Sequence, residues 1–159
     1  MKIINLEDFT LESFDYNNKE HFNMINKFDN DVEINKYIIR DDDSFSDVID
    51  EYRYFTSDEI YNTIYMVRLL LTGEIIESLE LDGKKDNLYL NYAILKKYRN
   101  NGYGSLLLKE LTKKLLLEIK QISLLIKQDN DSSKKLALKT GFKRIGQDEY
   151  GYNKYQIKS

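Results

Sequence analysis

The sequence predicts an α+β layer fold, and three stretches of its 159 residues predict it. The N-terminal third repeats its apolar residues at helical spacing. Between Ile64 and Leu95, three strand-rich runs are separated by turn residues. After Gly102 comes a long amphipathic stretch, followed by a strand, a shorter helix and two more strands. Helices layered on a largely antiparallel sheet are how such an order buries its apolar faces.

Ile3, Ile4 and Leu6 are strand formers ahead of the acidic Glu7-Asp8, so a first strand is expected over Met1 to Leu6, open to continuation through Phe9-Thr10-Leu11. Phe22, Ile25 and Phe28 place a helix over Asn17 to Lys27. Asp29-Asn30-Asp31 then offers a stop and a fresh N-cap for a short helix over Val32 to Tyr37. Beyond the polar Asp41-Asp42-Asp43-Ser44, the residues Phe45, Val48, Ile49, Tyr52 and Phe55 recur at three and four, as an amphipathic helix requires. Ile64 to Leu71 and Ile75 to Leu81 form a hairpin about Thr72-Gly73. Asp82 to Asp86 makes the next turn, and Leu88 to Leu95 completes a three-strand meander. Leu106, Leu107, Leu111, Leu115 and Ile119 form one stripe of a helix from Gly102 to about Lys120. Ile122 to Ile126 reads as a buried strand. Asn130 or Asp131 caps a helix ending at Lys139-Thr140-Gly141, and Phe142 to Gln147 with Tyr150 to Ile157 close the sheet. No repeat or linker interrupts residues 1–159, so one domain is expected.

Composition narrows the chemistry. With no cysteine, disulfides, thiolate metal sites and a cysteine nucleophile are excluded, and the single histidine, His21, cannot build a multi-histidine metal centre. His21 itself reads as a surface or cap residue. A net charge of −3 gives no footprint for nucleic acid or an anionic membrane. No apolar run approaches a bilayer span, and the acidic N-terminus lacks a secretory leader, so a cytoplasmic protein is expected.

The chemistry-bearing segment is Arg99-Asn100-Asn101-Gly102-Tyr103-Gly104-Ser105, set between a strand and the long helix. Backbone N–H groups at a helix start attract phosphates, and glycines let the chain approach them closely. Downstream, Asn130-Asp131-Ser132-Ser133 opens the short helix that closes on Gly141-Phe142. Together these resemble the GNAT acyltransferase superfamily, whose members carry (Arg/Gln)-x-x-Gly-x-(Gly/Ala) after the fourth strand and Asn-x-x-Ala-x-x-x-Tyr-x-x-x-Gly-Phe later. The stretch Phe28 to Ile38 also looks like the second helix of acetyltransferases acting on ribosomal-protein amino termini.

The resemblance implies a GNAT fold: a mixed, mostly antiparallel central sheet of six to seven strands flanked by helices on both faces. It also implies transfer of an acetyl group from acetyl-CoA to a primary amine, on a small molecule or a protein, without a metal, by a monomer or homodimer. Residue by residue, the backbone of Tyr92, Ala93 and Ile94 would hold the pantetheine arm. Asn100, Asn101, Gly102, Tyr103, Gly104 and Ser105 would hold the pyrophosphate, with Arg99 adding positive charge. Asn130 and Ser133 would reach the coenzyme from the next strand and helix, where Lys134 and Lys135 are candidates for its phosphates or a solvated helix face.

The sequence departs from the pattern at both proton-handling positions. Ala137 stands where the family's acidic tyrosine falls, Leu88 where some members have a carboxylate, and Ser133 where the motif has alanine. Glu77 and Glu80 are substitute bases. Glu77 shares strand parity with Ile75, Leu79 and Leu81, so it would face an apolar side unless it is an edge carboxylate. Tyr92, Tyr150 and Tyr152 are substitute acids. The alternative is a GNAT-fold coenzyme A-binding regulatory module with weak or lost catalysis, or a scaffold whose glycine loop binds nothing. Asp41-Asp42-Asp43 is either a lure for cationic acceptors or a solvated loop.

Overall fold

In a computed structural model, residues 1–37 and 60–159 are described. The expected helix over Phe45 to Phe55 and the acidic Asp41-Asp42-Asp43 lie outside them. The N-terminal segment is a hairpin instead of one strand: β1 (Ile3–Asn5) turns at Glu7-Asp8 into β2 (Phe9–Ser13). Leu6 N–H donates to the Phe9 carbonyl at 2.9 Å and closes that turn. Helix α1 (Lys19–Asp29) starts on Asn18, whose side chain accepts from the N–H groups of Glu20 and His21. Its inner face is His21, Met24, Ile25 and Phe28, while Phe22 turns outward. Helix α2 (Val32–Tyr37) starts on Asp31, whose Oδ1 accepts from Glu33 and Ile34 N–H at 3.1 Å each.

The meander is β3 (Thr63–Leu69), β4 (Ile75–Lys84) and β5 (Asn87–Ile94). Strand β4 runs through Asp82-Gly83 to Lys84, so the turn to β5 is tighter than the sequence suggests. Gly83 allows it: its φ is +125°, and a Cβ there would meet the Asn87 carbonyl at 2.5 Å. A 3₁₀ turn (Lys96–Tyr98) leads to α3 (Tyr103–Leu115), then β6 (Gln121–Ile126), α4 (Asp131–Lys139), β7 (Lys143–Gln147) and β8 (Asn153–Lys158). Helix α3 stops before the expected Lys120, because Leu117 and Glu118 N–H groups tighten onto the carbonyls three residues back. Its buried stripe is Leu107, Leu108, Leu111 and Leu115, and Leu106 faces solvent.

The eight strands form one mixed sheet in the order β1-β2-β3-β4-β5-β6-β8-β7. All neighbours are antiparallel except β5 and β6. Splitting the first strand is what takes the count past the expected six to seven. Helices cover both faces, as expected. On one side Leu79, Leu81, Leu88 and Leu90 pack with α3 and with Ala137 of α4. On the other, Ile64, Met66, Ile75 and Leu95 pack with Met24, Ile25 and Phe28 of α1 and Ile34 of α2. No helix among the described residues is long and apolar enough to cross a membrane.

Candidate active site

The sheet opens where its one parallel pair ends. β5 and β6 are in register only at Leu88–Ile122 and Tyr89–Ser123. Beyond Tyr89, β5 continues through Tyr92-Ala93-Ile94 without a β6 partner. Its outer backbone edge, apart from the Ile94 carbonyl that Arg99 Nε takes at 3.0 Å, is thereby left without a strand partner, and an extended chain with such an edge offers N–H and C=O groups in a row to a ligand.

At the end of β5 the chain turns through Arg99 into α3. Asn100 and Gly102 both have positive φ, +61° and +80°. Gly102 is the N-cap residue, and no side chain among the described residues caps this helix. The first intrahelical bond is from Leu106 N–H to the Gly102 carbonyl at 3.0 Å, so the N–H groups of the first turn precede the ladder. That arrangement, together with the helix dipole, suits an anion.

A cleft of about 600 Å³ joins the β5 edge, this loop and α4. Every residue expected to hold the coenzyme lines it except Asn101, which is exposed and donates its side-chain amide to the Arg99 carbonyl at 2.9 Å. Asn130 caps α4, its Oδ1 accepting from Ser133 N–H at 3.3 Å. The two lysines of α4 separate. Lys134 donates to the Gln128 carbonyl at 2.6 Å and pairs with Asp131 at 2.9 Å, whereas Lys135 lines the cleft along with Lys139.

Arg99 is committed elsewhere. Its guanidinium forks onto both Asp31 oxygens at 2.9 and 2.8 Å, reaches Glu33 at 2.6 Å, and donates from Nε to the Ile94 carbonyl at 3.0 Å. Burial pushes the Asp31 carboxyl up, but the Arg99 fork and the helix N–H groups more than offset that and hold it low. Arg99 thus ties the start of α2 to the end of β5, and two carboxylates cancel most of its positive field on the loop.

At the inner wall the polar groups are buried. Tyr92 lines the cleft on the apolar side of the sheet opposite Leu79, and its hydroxyl is sealed from solvent with no partner in hydrogen-bond geometry among the described residues. Burial pushes the phenol up, the Ser133 hydroxyl nearby pulls it down, and the charge of Glu77 raises it again. Glu77 is 1% exposed. It stands behind the wall without lining the cleft, its Oε2 without a partner among the described residues, and burial pushes its carboxyl up to about 8. The edge-carboxylate reading is therefore corrected. The reason is that β4 is an interior strand and Glu77 keeps the parity of Leu79 and Leu81, paired to Val67 of β3 on one side and Ile94 of β5 on the other. A bulge beside it, between Val67/Arg68 and Glu77/Ile75, puts Ile76 on that face too and moves Ile75 to the other core.

The remaining candidates fall away from the cleft. Glu80 accepts from the Asn91 amide at 3.3 Å. Tyr150 is exposed and Tyr152 lies beside it in the β7–β8 turn. His21 is fully buried, correcting the surface reading: Asp15 N–H donates to its Nδ1 at 3.0 Å and its Nε2 meets Glu12 at 3.0 Å. Glu12 is in turn held by Arg68. Ala137 and Leu88 are buried core residues with nothing to donate. Sequence reasoning missed Glu33, Ile34, Tyr37 and Tyr98 on the cleft wall. They carry no local signal, because the approach of α2 to the loop is a tertiary event. Among the described residues, no group of three or more potential ligands is placed to hold a metal ion.

Solved structures share this architecture. A GNAT-family acetyltransferase from Bacillus anthracis superposes with a TM-score of 0.74 at 14% identity, covering 98% of this chain and 96% of that one. RimL, a ribosomal L7/L12 alpha-N-protein acetyltransferase solved with coenzyme A, gives 0.76 at 16% identity over 99% and 98%. The aminoglycoside acetyltransferase AAC(6')-Ib, solved with coenzyme A and kanamycin, gives 0.71 at 19% identity over 94% of each chain. The chain therefore has the GNAT acetyltransferase fold. Within it, residues 87–151, from β5 through α4 to the β7–β8 turn, match the family model described as FR47-like protein. No curated protein matches the sequence.

Proposed function

We propose that the chain is an N-acetyltransferase that moves an acetyl group from acetyl-CoA to a primary amine, on a small molecule or a protein, by direct attack in a ternary complex. One observation carries this reading: the unpaired edge of β5, the uncapped first turn of α3 and the start of α4 converge on a single cleft. The residues present suit the coenzyme. The edge at Tyr92 to Ile94 matches an amide-bearing arm, and the N–H groups from Gly102 to Ser105 match a pyrophosphate. Gly102 leaves open space where a Cβ would stand. Lys135 and Lys139 supply the positive charge that Arg99 has given to Asp31 and Glu33.

Holding amine and thioester together lowers the barrier by positioning, and the remaining task is moving two protons. Tyr92 is the group of the wall suited to the departing sulfur, and Glu77 is the titratable group behind it. The solved relatives named above act on a ribosomal protein and bind an aminoglycoside, which fits an amine acceptor without choosing one. Calorimetry with acetyl-CoA, followed by free-thiol release over a panel of polyamines, amino-terminal peptides, aminoglycosides and amino acids, tests the reading. Binding with release for one acceptor is expected. No binding at high micromolar coenzyme would overturn it, and binding without release across the panel would leave a coenzyme-binding regulatory module.

A further inference from the structure

Three adjacent elements bring three polar groups together on the apolar side of the sheet: Glu77 from β4, Tyr92 from β5 and Ser133 from α4. Tyr92 stands opposite Leu79 and Glu77 opposite Ile94, so the phenol and the carboxyl are diagonal neighbours. Each has a sealed oxygen without a partner among the described residues, Tyr92 Oη and Glu77 Oε2. Orphaned buried polar atoms are rare, and two on neighbouring strands of one sheet face call for a use. The two oxygens are not hydrogen-bonded to each other in this structure, so a proton passes between them only when the side chains swing together. Of the three, Tyr92 and Ser133 line the cleft, the Tyr92 hydroxyl itself being sealed; Glu77 does not line it. A group so placed cannot take a proton directly from an acceptor amine. It can exchange one with the phenol in front of it.

We propose that Glu77 is a positioning and proton-supplying residue for Tyr92, so that the carboxylic acid feeds the phenol and the phenol protonates the departing sulfur. This deepens the acetyltransferase reading and rests on it. The balance is as follows. The amine nitrogen bonds to the acyl carbon and the carbon–sulfur bond breaks. Tyr92 O–H gives its proton to the thiolate while Glu77 gives its own to the phenol oxygen. The nitrogen sheds its proton to water, and once the products leave, Glu77 regains a proton from water through the Tyr92 hydroxyl. The net products are the amide and the free thiol.

The surroundings favour this direction. Opposite Glu77 stand Val67 of β3 and Ile94 of β5, and α3 turns Leu107, Leu108 and Leu111 toward the same core. The titratable group acting with it is Tyr92, and from α4 Ser133 approaches the same phenol. Burial keeps Glu77 protonated at neutral pH. A neutral Glu77 spares the phenol an adjacent negative charge, and Ser133 stabilises the phenolate that forms. A carboxylate at that position would do the reverse.

The test is the ratio of kcat for the native chain to kcat for Glu77→Gln across pH 6 to 9.5, at saturating acetyl-CoA and one acceptor, so that ionisation of the acceptor cancels. The ratio is expected to be about tenfold below pH 7 and to fall toward unity above about 8. In a Tyr92→Phe background, Glu77→Gln is expected to change kcat by less than about twofold. A ratio that rises through pH 8 would make Glu77 a base and overturn the relay. So would a full tenfold effect in the Tyr92→Phe background. A native chain that releases no thiol with any acceptor would instead overturn the acetyltransferase reading, and the relay with it.

Discussion

The two ends of the cleft are built from different materials. The outer end is backbone: the N–H groups of Gly102 to Ser105 and the unpaired edge of Tyr92 to Ile94. The inner end is side chain, with Tyr92 on the wall and Glu77 behind it holding polar atoms that no neighbour among the described residues satisfies. A backbone site tolerates change in surrounding side chains and fails when something occupies its space. A side-chain site depends on burial and loses its chemistry when a single atom changes. Substitutions at the two ends should therefore fail in different observables, binding at the outer end and pH dependence at the inner.

Gly104 offers the hardest test of the outer end. A Cβ there would lie 3.4 Å from Leu136 Cδ2, a tight but ordinary contact, so Gly104→Ala should fold and keep its coenzyme affinity. Gly104→Glu puts a negative charge where phosphates are to sit. At about 4 Å and an effective dielectric near 20, like charges cost about 4 kcal/mol, so affinity for acetyl-CoA should fall by about 1,000-fold in calorimetry. Equal affinity in both variants would show that the loop does not hold the pyrophosphate.

The contrast in materials also explains what the sequence revealed. Glycine spacing reports backbone need, so Gly102, Gly104 and the cap Asn130 were legible, as was Asp31 as the start of α2. Side-chain environments assembled from distant segments were not. Arg99 reads as a loop cation, but its partners Asp31 and Glu33 lie 68 and 66 residues away. His21 reads as a surface residue because Glu12, the carboxylate its Nε2 meets, arrives on a strand where Arg68 holds it. Glu77 was half legible: alternation puts it with Leu79 and Leu81, whereas the bulge that swaps Ile75 for Ile76 on its face has no local signature.

For the inner end, stability is the sharper probe. In the unfolded chain Glu77 ionises near 4.5, and in the fold near 8. The fold thus holds a proton that the unfolded chain has lost, so the favourable contribution of a neutral Glu77 is complete below pH 4.5 and drains away as pH rises to about 8. Glu77→Gln should stabilise the chain on the order of 2–5 kcal/mol at pH 9 and hardly at all at pH 4. Denaturant melts at the two pH values check this, and an equal shift at both would mean that Glu77 is not buried.

Arg99 decides whether the loop arginine serves the coenzyme or the fold. Its fork onto Asp31 is largely shielded from solvent. Arg99→Ala should therefore cost about 2 kcal/mol of stability near neutral pH, with acetyl-CoA affinity falling by less than about threefold. Asp31 is held low in the fold, so this contribution is present above pH 3.8 and is lost as the medium is acidified through the folded value. A large loss of affinity with unchanged melting would reverse the assignment.

The smallest effect separates neighbours on one helix. Lys134 and Lys135 look alike in the sequence, but Lys134 is bound to Gln128 and Asp131, and Lys135 lines the cleft. An exposed lysine near a phosphate contributes about 0.5 kcal/mol and is screened by salt. Lys135→Ala should therefore weaken acetyl-CoA binding about twofold at low salt, and the difference should shrink toward nothing near about 1 M salt, where the screening length falls to about 3 Å. Lys134→Ala should leave affinity unchanged and loosen the first turn of α4 instead, because it frees the Gln128 carbonyl ahead of the Asn130 cap. If both variants weaken binding equally, the coenzyme reads α4 as a diffuse positive face. If Lys135 alone does so, and only at low salt, the charge that Arg99 withholds from the loop is supplied from the opposite wall of the cleft.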